Sequence, residues 1–138
     1  MLFRSTGGSS GIGRATALAF AREGAKVAVA SRRAEESEET VRLVKAEGAD
    51  AMFVQTDVTK AAEVEALIAR TVECYGGLNY AFNNAGIEGD AFVPIERYSE
   101  ATWDQVIDIN LKGVFLSMKY ELPQIGRASC RERVYSSV

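Results

Sequence analysis

The chain has 138 residues, with 16 Lys and Arg against 19 Asp and Glu, a formal net charge of −3, two cysteines and no histidine. Its acidic balance argues against a nucleic-acid or anionic-membrane partner, and the lack of histidine removes the commonest general base and metal ligand. No apolar stretch approaches the roughly 20 residues that span a bilayer and no signal peptide is visible, so a single cytoplasmic domain is expected. Close to its start the chain carries Thr6-Gly7-Gly8-Ser9-Ser10-Gly11-Ile12-Gly13, followed at once by the helix-forming run Arg14 to Phe20. Glycines at these positions let the backbone turn sharply and approach a bulky ligand, because no Cβ stands in the way. The helix that starts here aims unpaired N–H groups and a partial positive charge forward, a place suited to a pyrophosphate. Taken alone, the same segment is also an ordinary Gly/Ser loop before a helix.

Beyond this turn, Ile12, Ala15, Leu18, Ala19 and Phe20 form an apolar helical face that ends near Gly24. Lys26–Ser31 reads as a short buried strand. The charged run from Glu35 to Glu47 carries a thin stripe of Val41, Leu43 and Val44, so it reads as a surface helix stopping at Gly48, with Glu35 to Glu39 as solvated face. Ala51–Asp57 is a second strand. Thr59 is the expected cap of the next helix, which places Val64, Leu67, Ile68, Thr71, Val72 and Tyr75 on one side before Gly76-Gly77. Leu78–Asn83 is a third strand. Ser99 is the expected cap of a long last helix, in which Trp103, Val106 and Ile107 are packing residues. Strands alternating with long helices imply an α/β fold with a Rossmann-like, doubly wound parallel sheet. Ligands of such sheets lie beyond the carboxyl ends of the strands. The chain supplies candidates at each end: the glycine turn, then Ser31-Arg32-Arg33, then Asp57-Val58, then Asn83-Asn84-Ala85-Gly86.

Both termini look foreign. Leu2-Phe3-Arg4-Ser5 can be encoded by a DNA word whose reverse complement, in another frame, encodes the end of Gln124, Ile125-Gly126-Arg127 and the start of Ala128. The run Ile125 to Val134 also resembles translated sequencing-adapter DNA. Residues 1–5 and 125–138 are therefore expected to be artefactual, with 6–124 a partial dinucleotide-binding domain. The ends carry four arginines against Glu132, so the stretch between them has a net charge of −6. Cys130 falls in the tail, which leaves Cys74 as a lone thiol suited to a reducing compartment and an inert packing role. Because a dinucleotide turn springs from a first strand, that strand is expected to be missing along with the natural start.

The whole set resembles the short-chain dehydrogenase/reductase family over essentially all of Thr6 to Gln124, in its T-G-x-x-x-G-I-G and N-N-A-G elements. The resemblance implies that Gly7, Ser9, Ser10, Gly11, Ile12 and Gly13 hold the cofactor pyrophosphate, that Asp57 and Val58 hold the adenine ring, and that Asn84, Ala85 and Gly86 line the cofactor groove. It implies that Asn110, in Asp108-Ile109-Asn110-Leu111, has a catalytic role: it bends its helix and holds a water in a proton relay. A bare helix-interior asparagine bonded one turn back is the plainer alternative. An acidic residue would favour NAD at the end of the second strand, and Ser31 with Arg32 and Arg33 stands there instead. NADP(H) is therefore the favoured cofactor, with NAD(H) possible.

The family's chemistry needs a serine and a Tyr-x-x-x-Lys. Four residues after Tyr75, Tyr80, Tyr98 and Tyr120 stand Asn79, Asn84, Thr102 and Gln124. The chain is therefore expected to be an inactive fragment of an oxidoreductase that moves hydride between a nicotinamide cofactor and a carbonyl or alcohol, as in 3-oxoacyl reductases or glucose dehydrogenases. The alternative is a non-catalytic dinucleotide-binding module or redox sensor. The expected partners are the dinucleotide and a small-molecule substrate, and the full-length parent is expected to be a homodimer or homotetramer.

Overall fold

The structure, a computed structural model, describes the backbone of residues 1–135 and the side chains of residues 1–127. Four parallel strands, β1 (Leu2–Thr6), β2 (Lys26–Ser31), β3 (Ala51–Gln55) and β4 (Tyr80–Asn83), lie in the order β3-β2-β1-β4. Helices α1 (Gly11–Arg22), α2 (Ala34–Ala46) and α3 (Ala61–Tyr75) connect them. A 3₁₀ turn (Ile95–Arg97), α4 (Glu100–Ile107), a π turn (Asp108–Lys112) and α5 (Gly113–Tyr135) follow. The chain steps outward from β1 to β2 and β3, then returns to the far side of β1. The strand order thus reverses between β1 and β4, and a crevice opens at their carboxyl ends.

Alternation along the strands serves two cores. Phe3, Val27 and Val29 pack with Ala17 and Ala21 of α1 and Val44 of α2. Ala30 packs with Leu67 and Ile68 of α3 and with Leu78, and Tyr120 and Ile125 of α5 close over them. Helices cover both faces of the sheet, so β2 reads as a continuous apolar run rather than an alternating one.

The expectation of a missing first strand is corrected. Leu2–Thr6 forms the central strand, paired Phe3 to Val27 on one side and Phe3 to Tyr80 on the other. Two flanking strands present unpaired backbone groups there, and any residues that are extended and not proline can satisfy them. Phe3 stacks on Phe20 with ring centroids 3.9 Å apart, which anchors the strand to α1. Arg4 is fully buried, pairs with Glu121 of α5, and donates to Asn83 Oδ1 at 2.7 Å. Burial pushes its guanidinium down to about 10, and its Nε and Nη1 have no hydrogen-bond partner.

Other expectations shift in detail. The buried face of α1 is Gly13, Ala17 and Ala21, and Ile12, Ala15 and Ala19 are exposed. The apolar spacing there fits either face, and the sheet selects the smaller residues. Thr59 does not cap α3, whose N-cap is Lys60. Its N–H and hydroxyl instead donate to Asp57 Oδ1 at 3.0 and 2.8 Å, so Asp57 organises the turn. Ser99 does cap α4, accepting from the Thr102 N–H. Trp103 remains 54% exposed while Val106 and Ile107 are half-buried. Cys74 is exposed rather than packed. The side chains of Cys130, Arg131, Glu132 and Arg133, and all of residues 136–138, lie outside the described residues.

Candidate functional site

The crevice is an open groove of about 340 Å³ across the carboxyl ends of the strands. Gly7, Ser9, Ser31, Arg32, Arg33, Asp57, Val58, Ala85 and Gly86 line it, together with Ala30, Thr56, Ile87 and Ile109. Asn110, the catalytic candidate, does not line the groove, and of the cofactor-binding candidates neither do Ser10, Gly11, Ile12, Gly13 and Asn84. These latter residues shape or flank its turn, and Ile12 is 72% exposed.

Three glycines of the turn have distinct geometric reasons. Gly7 has φ +64°, and a Cβ there would come within 2.9 Å of Asn84 Nδ2. Gly13 lies so close to the Gly7 carbonyl that a Cβ would overlap it. Gly11 has φ +51° and faces open space, which leaves room for a ligand to approach the backbone. Gly11 is the first residue of α1, and no side chain caps the helix there. Its first-turn N–H groups are left to solvent or to a bound anion.

Thr6 joins the two central strand ends. Its hydroxyl accepts from the Asn84 N–H at 3.1 Å and the Ala85 N–H at 3.3 Å. Asn84 Nδ2 in turn donates to the Thr6 and Gly7 carbonyls, both at 3.4 Å. Asn83 sits one layer deeper, with Nδ2 donating to Glu121 Oε1 at 2.7 Å. The N-N-A-G stretch is therefore braced by β1 on one side and α5 on the other.

At the end of β2, Arg33 Nη2 donates to Ser9 Oγ at 2.8 Å and to Ser10 Oγ at 2.7 Å. Ser31 Oγ accepts from the Arg33 N–H at 2.9 Å and lies 2.7 Å from Ser37 Oγ. A guanidinium and four serine hydroxyls thus gather at one end of the groove, with the exposed Arg32 beside them. Asp57 closes the adjacent wall. Partial burial works to raise its carboxyl, but the two bonds from Thr59 and the charges of Arg32 and Lys60 outweigh that and hold it below the ordinary carboxylate range. Glu63 accepts from the Asp57 N–H at 2.7 Å, which lowers the Glu63 carboxyl as well.

Asn110 lies in the π turn, where the Gly113 N–H reaches back to the Asp108 carbonyl. Its Oδ1 accepts from the Ile87 N–H at 2.9 Å and its Nδ2 donates to the Ile87 carbonyl at 2.8 Å. The helix is distorted at the expected residue, and both ends of the amide clamp the groove-lining Ile87. The π turn also brings Gly113 against Val58, where a Cβ would stand 2.8 Å from Val58 Cγ2. Ile87, Thr6 and Gly113 were not singled out from the sequence. Thr6 opens the quoted glycine motif without having been given a role, and Ile87 follows the N-N-A-G element, whereas no local signal marks Gly113, whose partner lies in another turn. Among the described residues, no cluster of His, Cys, Asp and Glu could hold a metal. No helix among them is long and apolar enough to cross a membrane.

Residues 5–131 match the family described as short chain dehydrogenase. A 3-oxoacyl-[acyl-carrier-protein] reductase, FabG, from Staphylococcus aureus is 44% identical over 123 residues, which are 88% of this chain and 49% of that protein. Among solved structures, a levodione reductase superposes with TM-score 0.86 at 39% identity, covering 89% of this chain and 48% of that one. An NAD+-bound xylitol dehydrogenase superposes with TM-score 0.87 at 32% identity, covering 90% and 47%. The chain therefore spans about half the length of the relatives it matches.

Proposed function

The chain belongs to the short-chain dehydrogenase family, and from that premise we propose that it is the dinucleotide-holding half of an NAD(P)-dependent oxidoreductase. The parent enzyme moves hydride between nicotinamide and a carbonyl or alcohol, with 3-oxoacyl thioesters and sugars as the substrate classes to test first. The observation that carries this reading is the uncapped start of α1 at Gly11, in the place where the strand order reverses. The α1 N–H groups and the glycine turn would hold the pyrophosphate, and Asp57 and Val58 the adenine end. Ala85 to Ile87 would back the nicotinamide end. When bound, the dinucleotide supplies the hydride, and the residues of this chain hold and orient it.

We assign NADP(H) as the preferred form. Arg32 and Arg33 stand where a carboxylate would accept from the ribose hydroxyls, and a guanidinium beside serine hydroxyls suits a phosphate. No tyrosine here has a lysine four residues on, so no general acid of the family type is available and the chain binds without turnover. Because both ends of the Asn110 amide are engaged by Ile87, a second reading stands beside the first: a binding module without chemistry. In the first reading the parent acts in the cytoplasm as a homodimer or homotetramer.

The test is a fluorescence titration of the chain with NADPH and NADH. Tighter NADPH binding is expected, and Arg33→Ala should weaken NADPH by about tenfold, the loss of a charge-assisted hydrogen bond. Equal or tighter NADH binding would overturn the preference. Oxidation of NADPH in the presence of ketones, sugars or acyl thioesters would overturn the claim of binding without turnover.

A further inference from the structure

Arg14, on the first turn of α1, does not line the groove. Its Nε donates to Thr40 Oγ1 at 2.9 Å. Its Nη2 donates to the Ser9 carbonyl at 2.5 Å and to the Glu36 carbonyl at 3.0 Å. One planar guanidinium thus ties the glycine turn to α2 through three acceptors, a fork that a point-charge ammonium does not reproduce. Ser9 is only 2% exposed and meets two arginines. Arg14 takes its carbonyl and Arg33 takes its hydroxyl. The loop bearing Arg33 is itself tied to α2, through the contact of Ser31 with Ser37. The glycine turn, α2 and the Arg33 loop therefore close into a ring of hydrogen bonds in which Arg14 is the link opposite the groove.

We propose that Arg14 is the positioning residue for selection at the ribose 2′ position. It touches no part of the dinucleotide. It sets the spacing between the glycine turn and α2, and with it the place where Arg33 meets a 2′-phosphate. This inference rests on the dinucleotide reading of the groove. A 2′-hydroxyl draws little on a guanidinium charge, so NADH binding should depend on the spacing far less than NADPH binding does. A merely structural arginine would instead weaken both dinucleotides together.

The experiment is calorimetric titration of NADPH and NADH into the full chain, its Arg14→Met variant and its Thr40→Val variant. Arg14→Met should weaken NADPH by about tenfold while NADH stays within about twofold, the size of one charge-assisted hydrogen bond lost at one end of the ligand. Thr40→Val removes a single acceptor from the fork inside a buried, isosteric site, and should move the ratio the same way by less. An unchanged NADPH/NADH ratio in folded Arg14→Met, or an equal loss of both affinities, overturns the proposal. If Arg14→Met does not fold, the Thr40→Val ratio decides by the same criterion. A wild-type chain that binds neither dinucleotide defeats the reading of the groove, and one that binds both equally defeats 2′ selection together with this proposal. A wild-type preference that survives in the variants defeats this inference alone.

Discussion

A methyl group at Gly13 would overlap the Gly7 carbonyl oxygen and lie 2.8 Å from Asn84 Nδ2, whereas one at Gly11 would meet nothing within 4 Å. The two glycines of one motif therefore answer to different demands. Gly13 keeps the α1 backbone close to the turn that β1 feeds, and Gly11 supplies a left-handed φ and leaves space in front of the helix. Gly13→Ala should overpack a rigid contact and destabilise the chain by about 1–3 kcal/mol. Gly11→Ala should cost about 1–2 kcal/mol through its left-handed backbone alone, with no steric component. Denaturant unfolding of both variants checks this. A Gly13→Ala chain as stable as wild type would show that the turn relaxes freely, against the close packing seen here.

At the scale of elements, the π turn between α4 and α5 is where helix geometry yields to the groove. It presents Asn110 to Ile87 and lets Gly113 seat against Val58. Asn110→Leu keeps a helix-compatible residue and removes both bonds to Ile87. It should cost about 1 kcal/mol and raise hydrogen exchange at the Ile87 amide, since these bonds are exposed to water. Unchanged exchange at Ile87 would contradict the clamp. The asparagine was singled out through the family resemblance, since a helix-interior asparagine carries no local signal of its own, and the residue it grips was not, since Ile87 lies 23 positions away in a loop of no fixed period. The same limit explains Thr59. A threonine before a helix reads as a cap, yet Asp57 two residues earlier competes for its donors and wins with a carboxylate.

For the molecule as a whole, the alternating pattern of helices and strands was enough to specify a parallel α/β sheet and the strand ends that meet at the groove. The central strand was not legible. Leu2–Thr6 carries a buried arginine where β1 meets α5, and periodicity alone argues against placing a charge there. The structure resolves this by setting Glu121 and Asn83 around Arg4. Such a pair holds only while both partners are present. Glu121→Leu alone should therefore cost about 3–5 kcal/mol, and Arg4→Leu combined with Glu121→Leu should recover most or all of that loss. Thermal unfolding of the single and double variants checks this, and a double variant no more stable than the single one would contradict it.

The central claim is that the reversal between β1 and β4, with its glycine turn and uncapped helix, forms a dinucleotide site. Calorimetric titration of NADPH into the chain and its Gly11→Ala variant tests this most directly. The account predicts one site per wild-type chain and, in a variant that remains folded, at least a tenfold loss of affinity (about 1.4 kcal/mol), because a Cβ would occupy the space in front of α1. No binding by wild-type chain that unfolds cooperatively, or equal binding by wild type and Gly11→Ala, would contradict it.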